Sequence, residues 1–107
     1  MFRLNTPQQR FAEGRPDLLV DLYLYPPRNP GLGQPIQLGW GCPCSRDRSL
    51  TEFWDGYPLL ESEMMPGQRR RIGFVFMSGT DAVEALATVD LFYLWDGRFI
   101  GEAQIIR

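Results

Sequence analysis

Residues 90–106 read DLFYLWDGRFIGEAQII, and this stretch decides the fold. Two β-rich runs flank Asp96-Gly97, and Asp-Gly between alternating apolar residues is a strong hairpin signal because both positions of a two-residue turn need positive φ. A two-residue loop sets Trp95 opposite Arg98, Leu94 opposite Phe99, Tyr93 opposite Ile100, Phe92 opposite Gly101 and Leu91 opposite Glu102. One face of this hairpin then carries Phe92, Leu94, Phe99, Gly101, Ala103 and Ile105, all apolar, and belongs in a core. The other face carries Leu91, Tyr93, Trp95, Arg98, Ile100, Glu102 and Gln104, a mixture suited to partial exposure.

Upstream of the hairpin, residues 78–89 (SGTDAVEALATV) break the strand pattern. Thr80 or Ser78 can cap, Asp81 and Glu84 favour an N-terminal turn, and Val83 and Leu86 keep helical spacing, so one short helix is expected. Residues 69–77 (RRRIGFVFM) read as a strand with Ile72, Phe74 and Phe76 on its core face. Before it, Met65-Pro66-Gly67 places Pro-Gly at the centre of a type II turn. Residues 17–25 (DLLVDLYLY) alternate cleanly, with Leu18, Val20, Leu22 and Leu24 on one side, and form the first strand.

The intervening segments are less regular. Residues 26–35 (PPRNPGLGQP) are a loop by their prolines and glycines. In residues 36–44 (IQLGWGCPC), Ile36, Leu38, Trp40, Cys42 and Cys44 share one parity and continue an apolar stripe. Residues 45–49 (SRDRS) read as a polar turn. A second Asp-Gly at Asp55-Gly56 suggests another hairpin, in which Pro58 would confine its strand to an edge. Residues 1–16 hold two prolines and no alternating face, and read as an irregular arm ahead of a single domain spanning residues 17–107.

Composition narrows the function classes. The chain has 107 residues, 44% of them apolar and 13% aromatic, which is enough for one compact core. All 11 basic residues are arginine and there is no histidine, so Ser-His-Asp and Cys-His catalysis and histidine-dependent metal sites are excluded. Genomic base composition is the simplest account of the arginine bias. A net charge of −2 argues against whole-protein electrostatic attraction to nucleic acid, although a local arginine patch can still bind phosphate. Cys42 and Cys44 supply two thiolates where a structural zinc site wants four ligands, and small buried side chains are the favoured reading. No apolar run reaches the roughly 18 residues of a membrane helix, and the N-terminus lacks the apolar centre of a signal peptide, so a cytoplasmic location is expected.

Several short strands and one late helix imply an all-β fold, a closed or nearly closed antiparallel barrel. From Asp17 to Arg107 the chain resembles the C-terminal (third) β-barrel domain of translation elongation factor Tu. The likeness is carried by Gly33-Gln34-Pro35, Gly39-Trp40 and Pro43, by Met65-Pro66-Gly67 followed by the alternating strand 71–76, and by residues 92–101 with Gly97-Arg98 after the turn. It implies a six-stranded Greek-key barrel with one short helix before the final hairpin. In that family the barrel helps hold aminoacyl-tRNA through its T-stem and packs on a GTPase domain and an exchange factor. Here no G-x-x-x-x-G-K-[ST] loop is present, so no nucleotide hydrolysis or cofactor is inherited. The segment Gly39-Trp40-Gly41-Cys42-Pro43 also lacks the arginine that follows the aromatic residue in the family, leaving Gly97-Arg98 as the transferable pair.

Without a catalytic constellation, the expectation is a non-catalytic binding or assembly module. Its candidate partner-binding residues are Tyr93, Trp95, Gly97, Arg98 and Ile100, with Arg98 stacked on Trp95, and the partner is another protein or a second copy. The alternative is a translation-related domain binding tRNA or the ribosome through Arg69, Arg70 and Arg71. A third class, a small hydrolase or redox protein, would use Cys42 or Cys44. The scattered acids Asp47, Glu52, Asp55, Glu61 and Glu63 read as solubilising charge.

Overall fold

In a computed structural model, residues 13–27 and 33–107 are described. The strands are β1 (Leu18–Leu24), β2 (Cys42–Ser45), β3 (Trp54–Pro58), β4 (Arg69–Phe76), β5 (Leu91–Trp95) and β6 (Phe99–Ile105), with helix α1 (Thr80–Leu86) between β4 and β5. They close into an antiparallel barrel in the order β1-β4-β3-β2-β5-β6, with β6 returning to β1. Strands β2, β3 and β4 follow one another, and β1 lies beside β4 after a long connection, which is Greek-key topology. Closure leaves no open sheet edge for another chain to extend. Most of the 1–16 arm lies outside the described residues; its end is pinned where the Asp17 amide donates to Phe74 O (2.8 Å) and the Phe76 amide donates to Asp17 Oδ2 (2.9 Å).

The alternating apolar positions fill the interior. Val20, Leu22 and Leu24 of β1, Ile72, Phe74 and Phe76 of β4, and Phe92 and Leu94 of β5 are buried there with Ala103 and Ile105 of β6. Phe92 meets Phe74 edge-on at 5.3 Å between ring centres and Phe76 at 5.8 Å, geometries favoured by the ring quadrupoles. Cys42 and Cys44 are buried free thiols, as their parity predicts. Burial, first, pushes the Cys44 thiol well above its ordinary pKa.

Two turns behave differently from one another. Met65-Pro66-Gly67-Gln68 is a type II turn, with Gly67 at φ 90° and the Gln68 amide donating to Met65 O at 3.1 Å. The Asp55-Gly56 pair, by contrast, makes no hairpin, because β3 runs straight through it. Gly56 is buried, and a Cβ there would sit 2.8 Å from Phe76 Cε1 and 2.9 Å from Cys44 Sγ. The glycine is required by space rather than by a turn. Pro58, on no sheet edge, takes the last position of β3, where the following Leu59 amide continues the pairing to Gly73 O.

The stripe from Ile36 to Cys44 is interrupted. Ile36 bridges Met64, but residues 38–39 form a turn with Gly39 at φ 87°, and Leu38 is 57% exposed. Ser45 belongs to β2 and is buried, not part of a polar turn. In α1 the cap position is Gly79 without a side-chain bond, and Ala82 and Leu86, one turn apart, are the residues that face the core. The helix thereby lies at the barrel end where β4 leaves and β5 enters.

The final hairpin departs from its expected register. Trp95 pairs with Phe99 and Leu94 with Gly101, so the loop holds three residues and Ile100 is extra. This β-bulge keeps Gly101, Ala103 and Ile105 inside but turns Phe99 to the outer face, while Ile100 packs against the core. Gly97 takes φ 74° in the loop, and the Asp96 amide donates to Arg98 O at 2.8 Å. A third loop residue, Arg98, takes up the position that a two-residue turn would have given to the strand.

Candidate partner-binding surface

The outer faces of β1, β6 and β5 are adjacent, and their alternating residues bring aromatic rings together. Trp95 and Phe99 are edge-to-face with centres 4.9 Å apart, and Tyr93 meets Phe99 at 5.8 Å. Tyr23 of the neighbouring β1 and Tyr25 just beyond its end make a third such pair at 5.7 Å. These rings are half-buried, outside a core that is already complete.

The arginine over this cluster is Arg48, not Arg98. Its guanidinium carbon lies 4.6 Å from the Tyr93 ring centre, 4.9 Å from Phe99 and 6.0 Å from Tyr25. Arg48 Nη2 donates to the Tyr25 hydroxyl at 2.9 Å, and that hydroxyl donates to Glu102 Oε1 at 2.8 Å. Burial, and then the bond and the negative charge at Glu102, push the Tyr25 phenol up to about 12. Arg48 therefore joins β5, β6 and β1 through one side chain.

Its loop, residues 46–53, is built to hold that side chain in place. The Asp47 amide donates to the buried Ser45 hydroxyl at 3.3 Å, while Asp47 Oδ1 accepts from the Ser49 amide at 2.9 Å and from the Ser49 hydroxyl at 2.6 Å. These bonds hold the Asp47 carboxyl below its ordinary pKa. Glu52 Oε1 accepts from Arg46 Nε and Nη2, closing the loop at its base. Leu50, at φ 63°, is the one non-glycine residue among those described with positive φ, and it is exposed at the loop tip. The loop reaches back from β2 across the outside of β5 and β6.

Beside the cluster a cleft of about 730 Å³ opens at the barrel end opposite α1. Prolines 26, 27, 35 and 66 and the rings of Tyr25, Trp40 and Phe99 line it, and Arg48, Asp96 and Arg98 supply its charge. Among the described residues neither Arg48 nor Arg98 forms a carboxylate ion pair.

The expected partner-binding residues are thus partly assembled. Tyr93 and Trp95 lie on the outer face with Phe99, Ile100 lies partly beneath it, and Gly97 and Arg98 form the adjoining loop. The run Arg69-Arg70-Arg71 is not a single patch. Arg69 lies over Tyr23 at 4.6 Å, Arg70 donates to the carbonyls of Ser62 and Glu63, and Arg71 approaches Asp21 at 3.4 Å. Successive strand residues point to opposite faces, which separates Arg70 from its neighbours. Among the described residues no group of three or more cysteines and acids is placed to hold a metal ion, and no helix is long and apolar enough to cross a membrane.

Phe99 and Arg48 were missing from the expected surface. Phe99 follows the inner parity until the bulge shifts it, and Arg48 sits in a polar segment whose long-range contact has no periodic signature. The Asp47-x-Ser49 spacing, which suits an Asx turn, is the one local hint that this loop is ordered. No protein-family model, curated protein or solved structure matches the chain.

Proposed function

We propose that this barrel is a non-catalytic binding and assembly module that docks a protein partner, or a second copy of itself, through the outer face of β5 and β6. The observation carrying this reading is the packed cluster of Tyr93, Trp95, Phe99 and Arg48 outside a complete core. Tyrosine, tryptophan and arginine are the residues in which interface binding energy concentrates, and here they are held in place before any partner arrives. The non-catalytic reading rests on the absence of histidine and on two thiols sealed in the core.

The elongation-factor-type likeness belongs to the same proposal. It is supported by the barrel topology and by the positions of the motif residues, with Pro66-Gly67 and Gly97-Arg98 in turns and Gly39-Trp40 at the mouth of β2. Translation-related RNA binding is the competing outcome. It has less support because Arg69, Arg70 and Arg71 diverge and each already has a partner within the fold.

Size-exclusion chromatography over a concentration series, together with pull-down from a native extract, tests the proposal. Self-association or a retained protein that is lost in Trp95→Ala and kept in Leu38→Ser supports it. A strict monomer with nothing retained counts against it, as does salt-sensitive tRNA binding weakened by Arg70→Gln.

A further inference from the structure

We propose that the cleft between residues 24–27 and 33–36 on one side and the final hairpin on the other receives an extended acidic peptide segment, its carboxylates meeting Arg48 and Arg98 and its apolar side chains lying along Trp40 and Ile100. This deepens the protein-docking reading and rests on it. The cleft volume, about 730 Å³, is in the range of sites that enclose a ligand of several residues' side chains or a small molecule. Its walls decide between ligand chemistries.

Among the described lining residues, prolines 26, 27, 35 and 66 contribute no backbone N–H, so these four positions offer none of the amide donors that usually cradle a phosphate. What it offers instead is a stiff apolar surface of proline and aromatic rings, which suits an extended chain. The positive charge is concentrated at the Phe99 end. Arg48 lies over the Phe99 ring, Arg98 is its chain neighbour, and both line the cleft without a carboxylate partner among the described residues. Among the described lining residues Asp96 is the acid, so there two guanidinium groups face one carboxylate, and Glu102 is already engaged by Tyr25. Planar forked guanidinium groups match carboxylates, and this local excess of positive charge stands on a chain whose net charge is −2. Charge complementarity therefore selects an acidic occupant over a basic one.

The test is fluorescence anisotropy on the full chain, using a labelled peptide in which glutamates alternate with leucine and proline and a matched peptide with glutamine for every glutamate. The glutamate peptide should bind, weaken as salt rises, and lose about tenfold in affinity with Arg98→Gln, the size expected for one charge-assisted contact. Arg48→Gln should lose as much, with circular dichroism checking its fold. Arg107→Gln, whose guanidinium is held at the carbonyls of Ala87 and Val89, should bind as the parent does. Because Arg98 is an exposed loop residue, its variant tests the cleft even if Arg48→Gln unfolds. Equal binding of the glutamine peptide, no loss in Arg98→Gln, or displacement of the peptide by single-stranded RNA would overturn the inference. If no peptide binds while association through Trp95 persists, the cleft inference fails and the docking reading stands; if both vanish, both fail.

Discussion

The Arg48 guanidinium lies 4.6 Å from the centre of the Tyr93 ring and donates a hydrogen bond to Tyr25, so one loop side chain ties together strands that are not consecutive in the chain. An exposed cation over a ring contributes about 0.5–1 kcal/mol, and the solvent-exposed hydrogen bond donated by the guanidinium adds about 1 kcal/mol. Arg48→Ala should therefore lower unfolding free energy by about 1–2 kcal/mol in urea titration. Arg48→Lys should recover only part, because an ammonium has no planar fork to lie along the rings while reaching the hydroxyl.

Tyr25 supplies a pH dependence. Its phenol is raised from 10.0 to about 12, so the folded state favours the protonated form. The associated stability is fully present below pH 10 and is lost as pH rises through about 12. Absorbance titration of tyrosinate should show one late-titrating tyrosine that disappears in Tyr25→Phe. A late step that persists in Tyr25→Phe would contradict the Arg48–Tyr25–Glu102 chain.

Glycine replacements should separate space from backbone conformation. A Cβ at Gly101 would lie 2.7 Å from the Tyr23 carbonyl oxygen, a backbone atom that cannot swing aside. One at Gly56 would press on the ends of Phe76 and Cys44. Gly101→Ala should be the more damaging, with overpacking in such sites costing about 1–3 kcal/mol. Gly97 has open space but positive φ, so Gly97→Ala should cost only about 1–2 kcal/mol of backbone strain. Melting temperatures in the order Gly97→Ala above Gly56→Ala above Gly101→Ala are expected.

The thiols should be silent in the native state. Cys42 and Cys44 are buried, and burial disfavours the Cys44 thiolate. Native protein should resist iodoacetamide at neutral pH, while denatured protein should take up two equivalents, one for each cysteine. Rapid native labelling of either residue would reopen a redox or nucleophilic role.

The apolar alternation of residues 18–24, 72–76 and 92–94 was legible because a barrel strand has one dry face, and the period of two survives any register. The Pro66-Gly67 turn was legible because its chemistry is local. Asp55-Gly56 misled because the same dipeptide can mark a turn or a tight interior position, and only Phe76 and Cys44 across the barrel distinguish them. The last hairpin misled for a related reason: whether Arg98 belongs to the loop depends on the bulge at Ile100, which tertiary packing selects. The candidate surface was half legible. Tyr93 and Trp95 follow from strand parity, whereas Phe99 and Arg48 arrive through the bulge and a folded-back loop that leave no period in the sequence.

Docking through the outer face of β5 and β6 is most directly tested by backbone hydrogen exchange on the associated protein, compared with the dissociated chain and with Trp95→Ala. Slowed exchange should fall on Leu91–Trp95, Phe99–Ile105 and residues 46–53, and should vanish in the variant. Protection confined to Arg69–Phe76, or none on the last two strands, would contradict the assignment of that face.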